Sequence, residues 1–211
     1  MDALKLAVLL SLGACTITSI EKPSSSTTGV PTSSITIDVV SATSDGVTAD
    51  VTVDVTIKGV HATLGMDDSL RLVDGIGGSA AFVEGDDFEA KLATADTALA
   101  IQLVRSGAVA TTVAIPLPPS FVPAVTIPVS RASGLALSWQ AAPPFPMAIV
   151  ATGSPCLPAN GFTAHLSPDP GAFEIQPADL ITTPGACTVT ITFTRGSQRT
   201  QVRTLTVPTK P

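Results

Sequence analysis

The sequence has no tyrosine, one tryptophan and two histidines. Each scarcity removes a class of function. Carbohydrate sites usually need an aromatic platform, and the single Trp139 falls on a strand patterned as core. His61 and His165 stand far from any His-Glu-x-x-His arrangement, and no Gly-x-Ser-x-Gly nucleophile elbow occurs. Ile76-Gly77-Gly78 is a turn and lacks the strand-to-helix setting of a phosphate-cradling loop. Charged residues are only 13% of the chain and leave a net charge of −6, which disfavours nucleic acid as a partner. No cofactor signature is found. No segment carries a long amphipathic helical pattern, and Ala90 to Ala100 comes nearest in composition.

What is abundant is Ala, Val and Thr, punctuated by 18 Pro and 16 Gly. Such a chain builds short strands joined by tight turns. The clearest strand runs from Val47 to Lys58. Val47, Ala49, Val51, Val53, Val55 and Ile57 alternate with Thr48, Asp50, Thr52, Asp54, Thr56 and Lys58. Period two puts the aliphatic set on one face and the polar set on the other. Ile35, Ile37 and Val39 form a similar strand, joined to it by Ser44-Asp45-Gly46. Shorter runs follow through Ile115, giving about seven strands in roughly 85 residues, as in a β-sandwich.

Pro116-Leu117-Pro118-Pro119 to Pro123 then interrupts the pattern, because proline cannot donate to a sheet ladder. It reads as a semi-rigid connector at 118–123, with an edge crossover inside one larger sandwich as the alternative. Beyond it the alternation resumes at Leu135, Leu137 and Trp139 and is strongest at Cys187, Val189, Ile191 and Phe193. Charge divides at the same place. Twelve acids face four bases between Pro31 and Pro118, whereas three acids face five bases from Pro119 onward. The expected architecture is all-β, with an acidic sandwich at 35–117 and a second at 124–208.

The amino terminus has the layout of an export signal. Lys5 precedes an apolar run from Leu6 to Leu12, far shorter than the roughly 20 residues that span a bilayer. The run closes on Leu12-Gly13-Ala14-Cys15. This resembles the lipobox of bacterial lipoproteins. The resemblance implies that residues 1–14 are removed, that the Cys15 thiol carries a diacylglycerol and that the new amine is acylated. Thr16, in place of aspartate, implies sorting to an outer membrane. Two or more acyl chains would make the attachment to the membrane stable. Residues 15–34, with the hydroxyl run Ser24 to Thr28, read as a solvated tether holding the first strand on the order of 25 Å from the anchor.

Cys156 and Cys187 remain in the mature body. In an exported protein an isolated pair is most simply a disulfide, with two free thiols as the alternative. Two cysteines and two distant histidines lack zinc-ligand spacing. Trp139 with this pair resembles immunoglobulin domains in architecture only, since here the tryptophan precedes both cysteines. The whole layout is similar to uncharacterised lipoproteins of Gram-negative bacteria, a resemblance that lends no activity.

The acidic residues Asp67, Asp68, Asp74, Glu84, Asp86 and Asp87 fall in neighbouring loops and are the weak candidates for calcium, which takes six to eight oxygens. They lack the spaced acidic pattern of a calcium loop. His61 follows a turn and reads as a solvated loop residue, and His165 reads as surface. The expected function is a non-catalytic structural or recognition role at the cell envelope, with an envelope protein as partner. The alternatives are a calcium-dependent adhesion or ligand-binding module and an envelope hydrolase.

Overall fold

The computed structural model describes residues 25–126, 129–181 and 184–211. Cys15 and the expected export signal at 1–14 lie outside the described residues. Among the described residues, ten strands precede the proline-rich connector: β1 (Ser25–Ser26), β2 (Ile35–Ser44), β3 (Thr48–Ile57), β4 (Val60–Thr63), β5 (Asp68–Asp74), β6 (Ser79–Ala81), β7 (Val83–Glu84), β8 (Phe88–Ala93), β9 (Ala98–Arg105) and β10 (Ala108–Pro116). Seven follow: β11 (Ala124–Val125), β12 (Leu135–Ser138), β13 (Met147–Thr152), β14 (Phe162–Leu166), β15 (Ala172–Ile175), β16 (Cys187–Gly196) and β17 (Arg199–Thr209). Helical structure among the described residues is limited to single 3-10 turns, and none is long or apolar enough to cross a membrane.

β3 organises the first unit. Ala49, Val51, Val53 and Val55 are buried, as the alternation predicts, and the polar set faces outward. β2 runs antiparallel along one side of β3, while β8 and β4 share its other side. The opposing sheet has the order β10-β9-β5-β6. Leu70, Leu72, Ile101 and Leu103 from that sheet pack against the valines of β3 and against Phe88. The helix-like stretch from Ala90 to Ala100 is divided between β8 and β9. Ala90 and Leu92 alternate with exposed neighbours on β8, so burial decides against helical propensity.

The second unit stacks β11-β12-β15 on β17-β16-β13-β14. On β16, Val189, Ile191 and Phe193 point inward and pack with Trp139, Ile149 and Leu137. The Trp139 and Phe193 rings meet edge-on with centroids 5.4 Å apart, a favoured aromatic geometry.

The two cores are separate, one drawing on residues from Ile37 to Leu117 and the other on residues from Phe121 to Val207. The sheets nevertheless join. Ala42, Thr43 and Ser44 of β2 pair in parallel with Arg199, Thr200 and Gln201 of β17. The Thr43 and Thr200 hydroxyls are 2.9 Å apart, and the Ala42 amide donates to the Gln198 carbonyl. The connector is fixed at both ends, by Leu117 in the first core and Phe121 in the second.

The end of the expected tether is corrected. From Ser25 onward the chain packs on the first unit instead of remaining solvated. β1 pairs in parallel with β4, and Thr27 is fully buried. The Thr27 hydroxyl donates to Asp68 at 2.6 Å and accepts from the Gly65 amide. Arg105 donates to the carbonyls of Thr27 and Val30. A hydroxyl-rich segment cannot build an apolar core, but it can satisfy buried polar partners supplied by distant residues.

Candidate functional site

The β3–β4 hairpin turns at Lys58-Gly59, where both residues have positive φ, +52° and +79°. That geometry matches the right-handed twist of a two-residue hairpin. It sets Thr56 opposite His61. Asp54 lies two residues before Thr56 and therefore on the same face, diagonal to His61 and within side-chain reach. The imidazole Nδ1 lies 2.5 Å from Asp54 Oδ1. On the other side of β3, Phe88 pairs with Val53, which brings the preceding Asp87 alongside Asp54. The donor atoms of Asp54, His61 and Asp87 all lie within 4.8 Å of one another. Among the described residues this is the group of His, Cys, Asp and Glu side chains that converges closely enough to share a metal ion.

The expectation for His61 is corrected here. It is a strand residue only 8% exposed, held by Asp54 and stacked on Phe88 with ring centroids 6.3 Å apart. The turn lies just before it, at Lys58-Gly59, so the histidine already belongs to β4. His165 is exposed on β14, as its alternation predicts.

The acidic calcium candidates are dispersed. Asp68 and Asp74 occupy opposite ends of β5, a separation of about 20 Å at the usual strand rise. The Asp68 carboxylate is engaged by Arg105 Nε at 3.0 Å and by the Thr27 hydroxyl. Asp74 accepts from the amides of Ile76 and Gly78 in its own hairpin. The Thr94 hydroxyl and these amides hold its pKa below the ordinary carboxylate value. Asp67, Glu84 and Asp86 are exposed. Of the six, Asp87 is the one in the His61 cluster.

Cys156 and Cys187 form a disulfide with Cα atoms 6.0 Å apart, within the normal span. Against it lies Arg131, completely buried. Its Nη1 donates to Cys187 Sγ at 2.9 Å and to the Thr209 hydroxyl at 3.0 Å, and its Nη2 to the Gly185 carbonyl. A second buried arginine, Arg195, pairs with Asp169 and donates to the carbonyls of Pro119 and Gln140. Its guanidinium carbon also sits 4.4 Å from the centre of the Phe121 ring. Sequence reasoning does not single out Arg131 or Asp169. Arg195 leaves a trace, because it continues the inward series Val189, Ile191, Phe193 on β16.

At the junction Arg203 lies over the Ser44-Asp45-Gly46 turn. Its Nη1 is 3.5 Å from the Ser44 carbonyl. Burial lowers the Arg203 pKa, while Asp45 opposes that shift. Amides of Val47 and Thr48, with Arg203 behind them, hold Asp45 below its ordinary value.

These strands and cores define an all-β protein of two immunoglobulin-like sandwiches in tandem. No protein-family model matches the chain, and no curated protein matches it. Among solved structures, a chain described as a cytokine receptor complex is 16% identical over 83% of this chain and 96% of its own, with a TM-score of 0.35. The Yersinia pseudotuberculosis adhesin InvE is 12% identical over 83% of this chain and 59% of its own, with a TM-score of 0.27. DIP-gamma IG1+IG2 is 10% identical over 83% of this chain and 95% of its own, with a TM-score of 0.24. All three superpose loosely, and the architecture stated above rests on the strand pairings themselves.

Proposed function

We propose that this chain is a lipid-anchored protein of the bacterial envelope, with a non-catalytic recognition or structural role. The observation that carries the reading is the shared sheet at the junction. The pairing of β2 with β17, together with the docking of Leu117 and Phe121, fixes the sheet edges and loop tips of one sandwich relative to the other. A rigid pair of sandwiches suits display of a surface for a protein partner, because less freedom is lost on binding. Sheet edges offer such a partner unpaired backbone groups.

The lipobox supports the anchoring half of the proposal, with Cys15 as the acylated residue and an outer membrane as the destination. The test is the intact mass of the membrane-extracted protein. The expected mass is the chain from Cys15 plus a diacylglycerol and an acyl group, and Cys15→Ser should release the protein from the membrane fraction. A mass without lipid overturns the anchor. Recovery of Cys15→Ser in the membrane fraction would assign attachment to another part of the chain.

A further inference from the structure

Asp54, His61 and Asp87 come from three separate segments and meet on one face of the β3 sheet. Their arrangement is fixed by backbone register. The hairpin turn sets His61, and the β3–β8 pairing sets Asp87. Phe88 lies beside the imidazole with ring centroids 6.3 Å apart, and Asp54 holds Nδ1. The ring is therefore oriented in advance and largely shielded from water.

Two carboxylates placed this close repel one another. A divalent cation seated between them would offset that repulsion. The donor set indicates which cation. One imidazole nitrogen with two carboxylate oxygens suits zinc and its first-row neighbours. Calcium prefers six to eight oxygens, and magnesium keeps most of its water. We propose that Asp54, His61 and Asp87 bind one divalent transition-metal ion of the zinc class, leaving a further coordination position for water.

The geometry needs only a small adjustment. Zinc ligands lie about 2.0–2.2 Å from the metal, which places tetrahedral donors roughly 3.3 Å apart. The donors here are spread within 4.8 Å, and His61 Nδ1 and Asp54 Oδ1 must open from 2.5 Å. Side-chain rotation about the Cα–Cβ bonds of the two aspartates covers shifts of that size without moving the sheet. The competing role is purely structural, with the His61–Asp54 contact bracing the β3–β4 hairpin.

The test uses the full chain with Cys15→Ser, so that the anchor thiol adds no ligand. The protein is stripped with a chelator and titrated with Zn2+, and separately with Ca2+, at neutral pH. One Zn2+ per chain is expected, with a melting temperature raised by about 5–10 °C at a hundredfold excess over Kd. Asp87→Asn should weaken Zn2+ binding at least tenfold, and His61→Ala should abolish it. Co2+ should give a visible absorption band that Asp87→Asn removes. Asp87 lies in a loop at the start of β8, so Asp87→Asn keeps the test open if His61→Ala does not fold. The proposal is overturned if Zn2+ neither binds nor shifts the melt, if Asp87→Asn binds Zn2+ as well as the parent chain, or if Ca2+ binds more tightly than Zn2+.

Discussion

Arg195 and Asp169 pair at 2.9 Å with side chains 1% and 0% exposed. The second Asp169 oxygen accepts from the Trp139 indole at 2.6 Å, and Arg195 reaches the Pro119 carbonyl of the connector. One buried ion pair thus holds the core tryptophan and the entrance to the second unit. Removing one partner leaves a buried charge uncompensated. Asp169→Ala should cost about 3–5 kcal/mol in urea unfolding, and adding Arg195→Met should recover only part of it, because the Trp139 indole still lacks its acceptor. An unaltered urea midpoint in Asp169→Ala would contradict this role.

The junction can be tested by comparing two glycines. Gly46 has φ +86°, and a β-carbon there would lie 2.5 Å from Arg203 Nη2. Gly59 has φ +79° with nothing within 4 Å of the same position. Both alanine variants carry left-handed strain of roughly 1–3 kcal/mol. Only Gly46→Ala should also displace Arg203. Hydrogen exchange should therefore accelerate at 42–44 and 199–201 in Gly46→Ala and stay unchanged there in Gly59→Ala.

Reducing the disulfide should destabilise the second unit. Cys156 and Cys187 are 31 residues apart, which corresponds to about 3–4 kcal/mol in the chain-entropy model. The Cys156→Ala/Cys187→Ala double variant also removes a hydrogen-bond acceptor of buried Arg131. The check is the urea midpoint of the double variant against the oxidised parent. Equal midpoints would show that the crosslink adds no stability.

Acid should weaken the first unit through three turn aspartates. Asp45, Asp74 and Asp96 are all held below the ordinary value of 3.8. The largest causes are the Val47 amide for Asp45, the Thr94 hydroxyl for Asp74 and the Ala98 amide for Asp96. Folding therefore opposes their protonation, and the unfolded chain binds more protons as pH falls. Their contribution is complete above the unfolded value and is lost as pH drops through the lower folded values. Urea midpoints between pH 5 and 2 should fall less steeply in the Asp45→Asn/Asp74→Asn/Asp96→Asn variant. An identical pH slope would exclude these groups.

Much of the fold is legible because a strand buried on one face writes its geometry as alternation. β16 and the centre of β3 could be read residue by residue, whereas Val47, placed on the aliphatic face by the alternation, lies before β3 and is 72% exposed. The composition of Ala90 to Ala100 was ambiguous, since the same aliphatic residues serve a helix or a strand until a partner sheet covers them. His61 was harder. Its turn, Lys58-Gly59, lacks the strong Asn-Gly or Asp-Gly signal, and its partner Asp87 lies on the far side of β3. Thr27 was illegible because its burial depends on Asp68 and Gly65, some forty residues away.

The sequence by itself determined the all-β class, the alternating faces and the proline break, because strand period and backbone restriction are local properties. It also carries Leu12-Gly13-Ala14-Cys15, whose resemblance to a lipobox is read as a linear motif and underlies the proposed anchor. Tertiary structure decided the continuous sheet from β2 to β17, the buried places of Arg131 and Arg195, and the meeting of Asp54, His61 and Asp87. Those features depend on which strands become neighbours and in what register. A polar side chain is stable in the interior only when a distant residue supplies its partner, and that pairing is a property of the folded chain.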